Sequence, residues 1–287
     1  MVHRKHGTGF RAAWLVGIGI VVAAAGDSRG QNMPGSALPE TLELADGPAA
    51  GAAPEPARPA DKWPLSLAFD ATWAGKYVWR GIVVAEDPVF EPSVEVGAGD
   101  LTLNIWTNLD TTDVNDFRGQ ANEIDYTLDY TVGAWEWLTA SVGAIHYAFP
   151  QAHAFDTTEA YLALGADVPT SPTLTVYRDL DEHDGTYITL GFGHTFGDVW
   201  TPSPEMAMSV DLAAQFAWGS RKHNAFYYGS GTGWADASVT VALPFAVGNH
   251  VTITPYASQV WILDDGMRSA LARGDAFWAG LSVTVGF

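Results

Sequence analysis

From Leu65 to Phe287 the apolar residues of this chain fall on alternate positions, in repeated runs of about ten residues. The last run is the plainest. Phe277, Ala279, Leu281, Val283, Val285 and Phe287 take one side, and Trp278, Gly280, Ser282, Thr284 and Gly286 the other. A period of two puts the two sets on opposite faces of a strand. An oily face needs a cover, and nothing in this sequence follows Phe287 to supply one. Lipid would supply it, and apolar-out, polar-in alternation is the code of a transmembrane β-barrel.

The same code recurs upstream. Leu65, Leu67, Phe69, Ala71 and Trp73 share a face in a first strand predicted to run on to Trp79. Phe90, Val94 and Val96 oppose Glu91, Ser93 and Glu95. Ile124, Tyr126, Leu128, Tyr130 and Val132 alternate with Asp125, Thr127, Asp129 and Thr131. Strands about Leu101–Asn108, Trp137–Tyr147, Glu159–Leu164, Thr173–Asp179, Ile188–Phe196, Met206–Phe216, Trp234–Leu243 and Val251–Tyr256 complete the set. The prediction is an all-β fold, a closed antiparallel barrel of about twelve strands with both termini periplasmic. Parity then sends the longer, polar connections outward: Arg80–Asp87, Asp110–Glu123, Ala148–Asp156, Leu180–Asp184, Gly219–Gly231 and Leu263–Gly274. The turns near Gly99, Ala134, Thr170, Asp198 and Gly248 are mostly tight and fall on the periplasmic side.

Composition agrees with a barrel and excludes other classes. Hydrophobic residues make up 47% of 287, with 12 Trp, 13 Phe and 10 Tyr to furnish aromatic girdles. The net charge of -19 argues against nucleic-acid partners, which need a basic footprint. Without cysteine there are no disulfides and no thiolate metal sites. At the N-terminus Arg4, Lys5 and Arg11 precede an apolar stretch, Ala12–Ala25, that closes on Ala23-Ala24-Ala25. Residues 1–25 therefore read as a signal peptide. Residues 26–62, dominated by Ala, Pro, Gly and acids, read as a disordered lead-in, and 63–287 as the barrel.

Tyr77-Val78-Trp79-Arg80-Gly81-Ile82, followed by Pro88-Val89-Phe90-Glu91-Pro92-Ser93-Val94, resembles the opening of the TorF-like porins, bacterial outer-membrane proteins of unestablished substrate. Leu103–Asn108, Glu123-Ile124-Asp125-Tyr126, and Tyr147 ahead of Pro150 fit the same pattern. The resemblance implies an outer-membrane barrel over roughly Trp73 to the C-terminus, with terminal Phe287 as the signal read by the barrel-assembly machinery.

The polar faces carry Asp70, Glu91, Glu95, Asp125, Asp129, Glu159, Asp179, Asp211 and Asp236, with Arg80, Lys76 and Arg178 as basic candidates beside them. Charge on a lipid face is costly, so these belong to the lumen. An acidic lumen selects cations by field. The alternative is a packed lumen in which the carboxylates pair with Arg80, Tyr and Thr. Asp179, Asp181 and Asp184 sit in a Gly-closed loop with oxygen ligands of the kind Ca²⁺ uses, but without the EF-hand spacing, so an ordinary polar turn is the favoured reading and no metal or other cofactor is expected. His146, His153 and His183 are the residues a barrel lipid hydrolase would draw on, but Ser141 and His146 have opposite parity and no nucleophile motif is present. The expectation is a channel rather than an enzyme: outer-membrane lipid around it, small solutes or cations through it. A non-conducting structural or receptor barrel is the alternative.

Overall fold

A computed structural model describes residues 65–287 apart from 136, 152–154, 204 and 230. The signal-peptide and lead-in assignments, and His153, lie outside the described residues. The strands are β1 (Leu65–Ala74), β2 (Tyr77–Trp79), β3 (Ile82–Ala85), β4 (Val89–Ala98), β5 (Leu101–Asp110), β6 (Ala121–Trp135), β7 (Leu138–Ala148), β8 (Thr157–Ala166), β9 (Thr173–Asp179), β10 (Thr186–Ser203), β11 (Met206–Gly219), β12 (Gly233–Ala242), β13 (Phe245–Val247), β14 (Val251–Ile262) and β15 (Asp275–Gly286). Two short helices, α1 (Arg221–Tyr227) and α2 (Asp265–Ala270), lie between β11 and β12 and between β14 and β15.

All strands but β2 and β3 join one antiparallel sheet, and β10 pairs with β11 to close it. β12 and β13 both lie between β11 and β14, so they form one stave interrupted at Leu243-Pro244. Pro244 has no N–H to give the ladder, which accounts for the break. Twelve staves result. The first and last seal against each other: Phe69 faces Val285, and the Phe287 N–H donates to the Leu67 carbonyl at 2.8 Å. Closure leaves no sheet edge exposed.

Alternation assigns the faces. On β6, Tyr126, Leu128, Tyr130 and Val132 are exposed, while Asp125, Thr127, Asp129 and Thr131 between them are buried. Leu103, Val142, Leu162, Leu212, Val241 and Leu281 join the exposed apolar set on other staves. Exposed aromatics cluster toward both rims: Trp73, Trp234, Trp261 and Phe277 near the longer loops, and Tyr130, Trp135, Trp137 and Phe287 near the tight turns. This is the outer surface of a barrel built to sit in lipid.

Three boundaries differ from those read in the sequence. The first strand stops at Ala74, and the chain folds back into a separate β2–β3 hairpin. The region 197–203 is strand rather than turn; it carries β10 past β9 while still paired with β11 through two register shifts. The polar stretch 219–231 contains α1, capped by the Ser220 side chain on the His223 N–H. α1 turns His223, Asn224 and Tyr227 into the protein.

Candidate functional site

The β2–β3 hairpin is the center of the site. It leaves the barrel between β1 and β4 and reaches across the lumen. Its ladder pairs Tyr77 with Ala85 and Trp79 with Ile82, so Arg80 and Gly81 form the two-residue turn. Their φ values are 44° and 80°. A turn with both central residues in the left-handed region is a type I′ hairpin turn. Glycine accepts that conformation freely, whereas an arginine costs about 1–2 kcal/mol there. The glycine is also required sterically. A Cβ on Gly81 would lie 2.5 Å from Ile262 Cδ1 and 3.1 Å from Asp236 Cβ.

The strain at Arg80 is offset by what its guanidinium meets. Nη1 and Nη2 donate to the two Glu159 oxygens at 3.0 and 2.7 Å, a bidentate pair. Both residues are buried, with Arg80 2% and Glu159 1% exposed. The guanidinium packs on the rings of Tyr187, Trp79 and Tyr177 at 4.2, 4.5 and 5.0 Å. Burial disfavors the charged form, but the Glu159 carboxylate outweighs it and holds the Arg80 pKa above its ordinary range. β8, β9 and β10 lie across the ring of staves from the hairpin's exit point, so the tip spans the lumen.

Further bonds fix the hairpin along its length. The Tyr228 hydroxyl donates to the Arg80 carbonyl at 2.6 Å and lies 3.4 Å from Asp236 Oδ2. Tyr187 donates to Asp236, Tyr147 to Glu159 and Tyr77 to Glu123. At the base Lys76 pairs with Glu86 at 2.7 Å, and Glu86 also meets Arg273 of the 263–274 loop. Trp79, Tyr147, Tyr187, Tyr227, Tyr228, Ile262 and Met267 form one buried cluster around the tip. The loop-side half of the lumen is thus filled.

The acids named from sequence all face inward, but they divide between two environments. Glu159, Asp179, Asp236, Asp125 and Glu91 lie in the loop-side half and are buried. Asp179 Oδ1 accepts the backbone N–H groups of Asp181, His183 and Asp184, and Oδ2 takes the Thr157 hydroxyl. In the turn-side half, Asp70 accepts Thr72, Ser282 and Thr284, and Asp129 accepts Tyr161 at 2.5 Å. Asp70, Glu95 and Asp211 there are half-buried. Short Gly, Ser and Thr side chains line this half: Ser93, Gly97, Thr102, Gly191, Gly193 and Thr240.

Several placements depart from the sequence reading. Arg80 sits at a buried hairpin tip, not where a strand enters an outer loop. Arg178 is on the outer side of β9, where it pairs with Asp184 and Thr186 away from the lumen acids. Asp184 holds Arg178 and Lys222, and Asp181 is exposed, so the three aspartates do not converge on a common point. His146 lies on the outer wall beside Tyr126, remote in orientation from inward Ser141.

His223 was not singled out from sequence. It is wholly buried between His183, Tyr187, Tyr227 and Tyr228. Burial first, then the neighboring Arg80 and His183, push its pKa well below the ordinary value. A seven-residue helix carries too little periodic signal to locate it. The hairpin did have a signal: Ile82-Val83-Val84-Ala85 is an apolar run where a solvated outer loop should be polar.

No family model matches the chain, and no curated protein does. The TorF-like resemblance therefore rests on its motifs alone. Among solved structures, the LpxR protein from Salmonella typhimurium is similar over 77% of this chain and 99% of its own, at 9% identity and a TM-score of 0.48. The NanC porin is similar over 76% and 98%, at 11% identity and a TM-score of 0.46. The COG4313 outer membrane channel from Pseudomonas putida F1 is similar over 83% and 100%, at 8% identity and a TM-score of 0.42. At such scores and identities nothing about the activity of this chain follows from them.

Proposed function

We propose that the protein is an outer-membrane channel for small solutes, cation-preferring, whose lumen is closed at rest by the β2–β3 hairpin. The carrying observation is the division of the lumen. One half is an acidic cup lined with small polar side chains, and the other is filled by the hairpin, latched through Arg80 and Glu159, with side chains of the outer loops and α1 packed around its tip. The hairpin is its own two-stranded sheet outside the barrel ladder, so displacing it would break side-chain contacts and no stave pairing.

Supporting the location are the exposed apolar belt, its two aromatic rims and the export signal expected of residues 1–25. In that setting the turn rim, with Leu65 and Phe287, faces the periplasm, and Phe287 presents the terminal aromatic to the assembly machinery. Selectivity rests with Asp70, Glu95, Asp129 and Asp211, because carboxylates along a lumen favor cations.

The test is a planar bilayer under a KCl gradient. Current steps are expected to reverse toward the potassium equilibrium potential, and Glu95→Gln with Asp129→Asn to move the reversal toward zero. Reversal toward the chloride potential contradicts the selectivity. The latched hairpin also favors one other reading, a barrel that never conducts and presents its outer loops to a partner. Silence under every voltage, with and without the hairpin, is the result that supports it.

A further inference from the structure

Beside the Arg80–Glu159 pair lie His183, from the β9–β10 loop, and His223 of α1. Glu159, His183 and His223 each offer a ligand atom, and these atoms lie within 4.8 Å of one another. Among the described residues no other group of three or more His, Asp and Glu does so. His183 Nε2 is 3.3 Å from His223 Nδ1. Two imidazole nitrogens bound to one tetrahedral ion at about 2.0–2.1 Å stand roughly 3.3 Å apart. The pair already has the spacing of adjacent ligands.

The surroundings support ligation. Asp179 Oδ2 is 3.0 Å from His183 Nδ1, off the line of an ideal hydrogen bond. A carboxylate behind the far nitrogen is the usual orienting partner of a metal-bound histidine. Asp179 is itself fixed by Thr157 and three backbone N–H groups. The two facing nitrogens, His183 Nε2 and His223 Nδ1, meet only each other in the hydrogen bonds of the described residues, so an ion between them displaces a single His–His contact. Two nitrogens and a carboxylate suit Zn²⁺-class ions and not Ca²⁺ or Mg²⁺, which take oxygen.

We propose that His183, His223 and Glu159 form a transition-metal site, and that the ion competes with Arg80 for the Glu159 carboxylate. A divalent ion and a guanidinium sharing one buried carboxylate repel each other strongly. Occupancy therefore loosens the hairpin tip, which makes the latch metal-sensitive. The binding itself does not depend on the barrel being a channel.

Co²⁺ titration of the full chain, folded in detergent and followed by visible absorption, tests this. Wild type is expected to bind one Co²⁺ with the intense d–d bands of a four-coordinate site, and Zn²⁺ to displace it. His183→Gln should abolish the bands while the barrel still migrates as folded in an unheated gel. Asp179→Asn should weaken binding roughly 10–100-fold. Arg80→Gln should tighten it by roughly tenfold or more, because the competitor is gone. The absence of saturable binding to wild type overturns the site. So does binding that survives His183→Gln, which would place the ion elsewhere. Binding that Arg80→Gln leaves unchanged or weakens overturns the competition.

Discussion

Replacing Glu159 with alanine is expected to destabilize the protein by about 3–5 kcal/mol, the usual cost of stranding one member of a buried ion pair. Arg80 would keep its charge in a pocket made of Trp79, Tyr177 and Tyr187, with no counter-ion in contact. The barrel ladder does not depend on that contact, so the loss should concentrate in the hairpin. Hydrogen exchange should show Tyr77–Ala85 amides losing protection while those of β6 and β7 keep theirs. Arg80→Ala should act in the same direction. The double replacement Arg80→Met with Glu159→Met should recover much of the loss, because two apolar side chains leave no buried charge. Equal loss of protection throughout the barrel would show that the pair supports the wall and not a separable plug.

Leu128→Arg is expected to cost about 2–4 kcal/mol in lipid vesicles, because Leu128 sits mid-stave on the lipid face of β6. The sign is informative. On a water-exposed wall an arginine for an exposed leucine changes stability by no more than about 0.5 kcal/mol. Leu128→Ala is the control for lost side-chain area. Denaturant unfolding of the three proteins reconstituted in the same lipid measures the difference. A near-neutral Leu128→Arg would mean that water, not hydrocarbon, covers this face.

Much of the wall was legible in the sequence because strand periodicity is a local property. Each residue's neighbor two positions away already states the face, and β6 declares itself through Ile124 to Val132 without help from the fold. The hairpin was not legible, because alternation cannot tell a strand that continues from one that folds back. Tyr77 and Trp79 keep the odd-number phase of Leu65 to Trp73, yet they are buried inside while Trp73 faces outward. The break after Gly75 shows only in the fold: Gly75 still bonds to Ala279 in the β1–β15 register, and from Tyr77 the chain pairs with its own return strand.

The carboxylates show the same divide. Their inward direction follows from parity, but their state depends on residues far away in the chain. Glu159 meets Arg80 across 79 positions, and Asp70 meets Ser282 across 212. No spacing rule reaches that far. His183 and His223 are likewise 40 residues apart and come from a loop and a one-off helix. Neither element has a period to read.

The latch between Arg80 and Glu159 ties the hairpin tip to the far wall at β8, and removing the hairpin tests its role most directly. Tyr77–Ala85 would be replaced by a short Gly-Ser link, and single-channel current compared with wild type in the same bilayer. Wild type should be closed most of the time, and the excised chain should pass steady cation-selective current. Wild type that conducts as freely as the excised chain would contradict a hairpin that closes the pore.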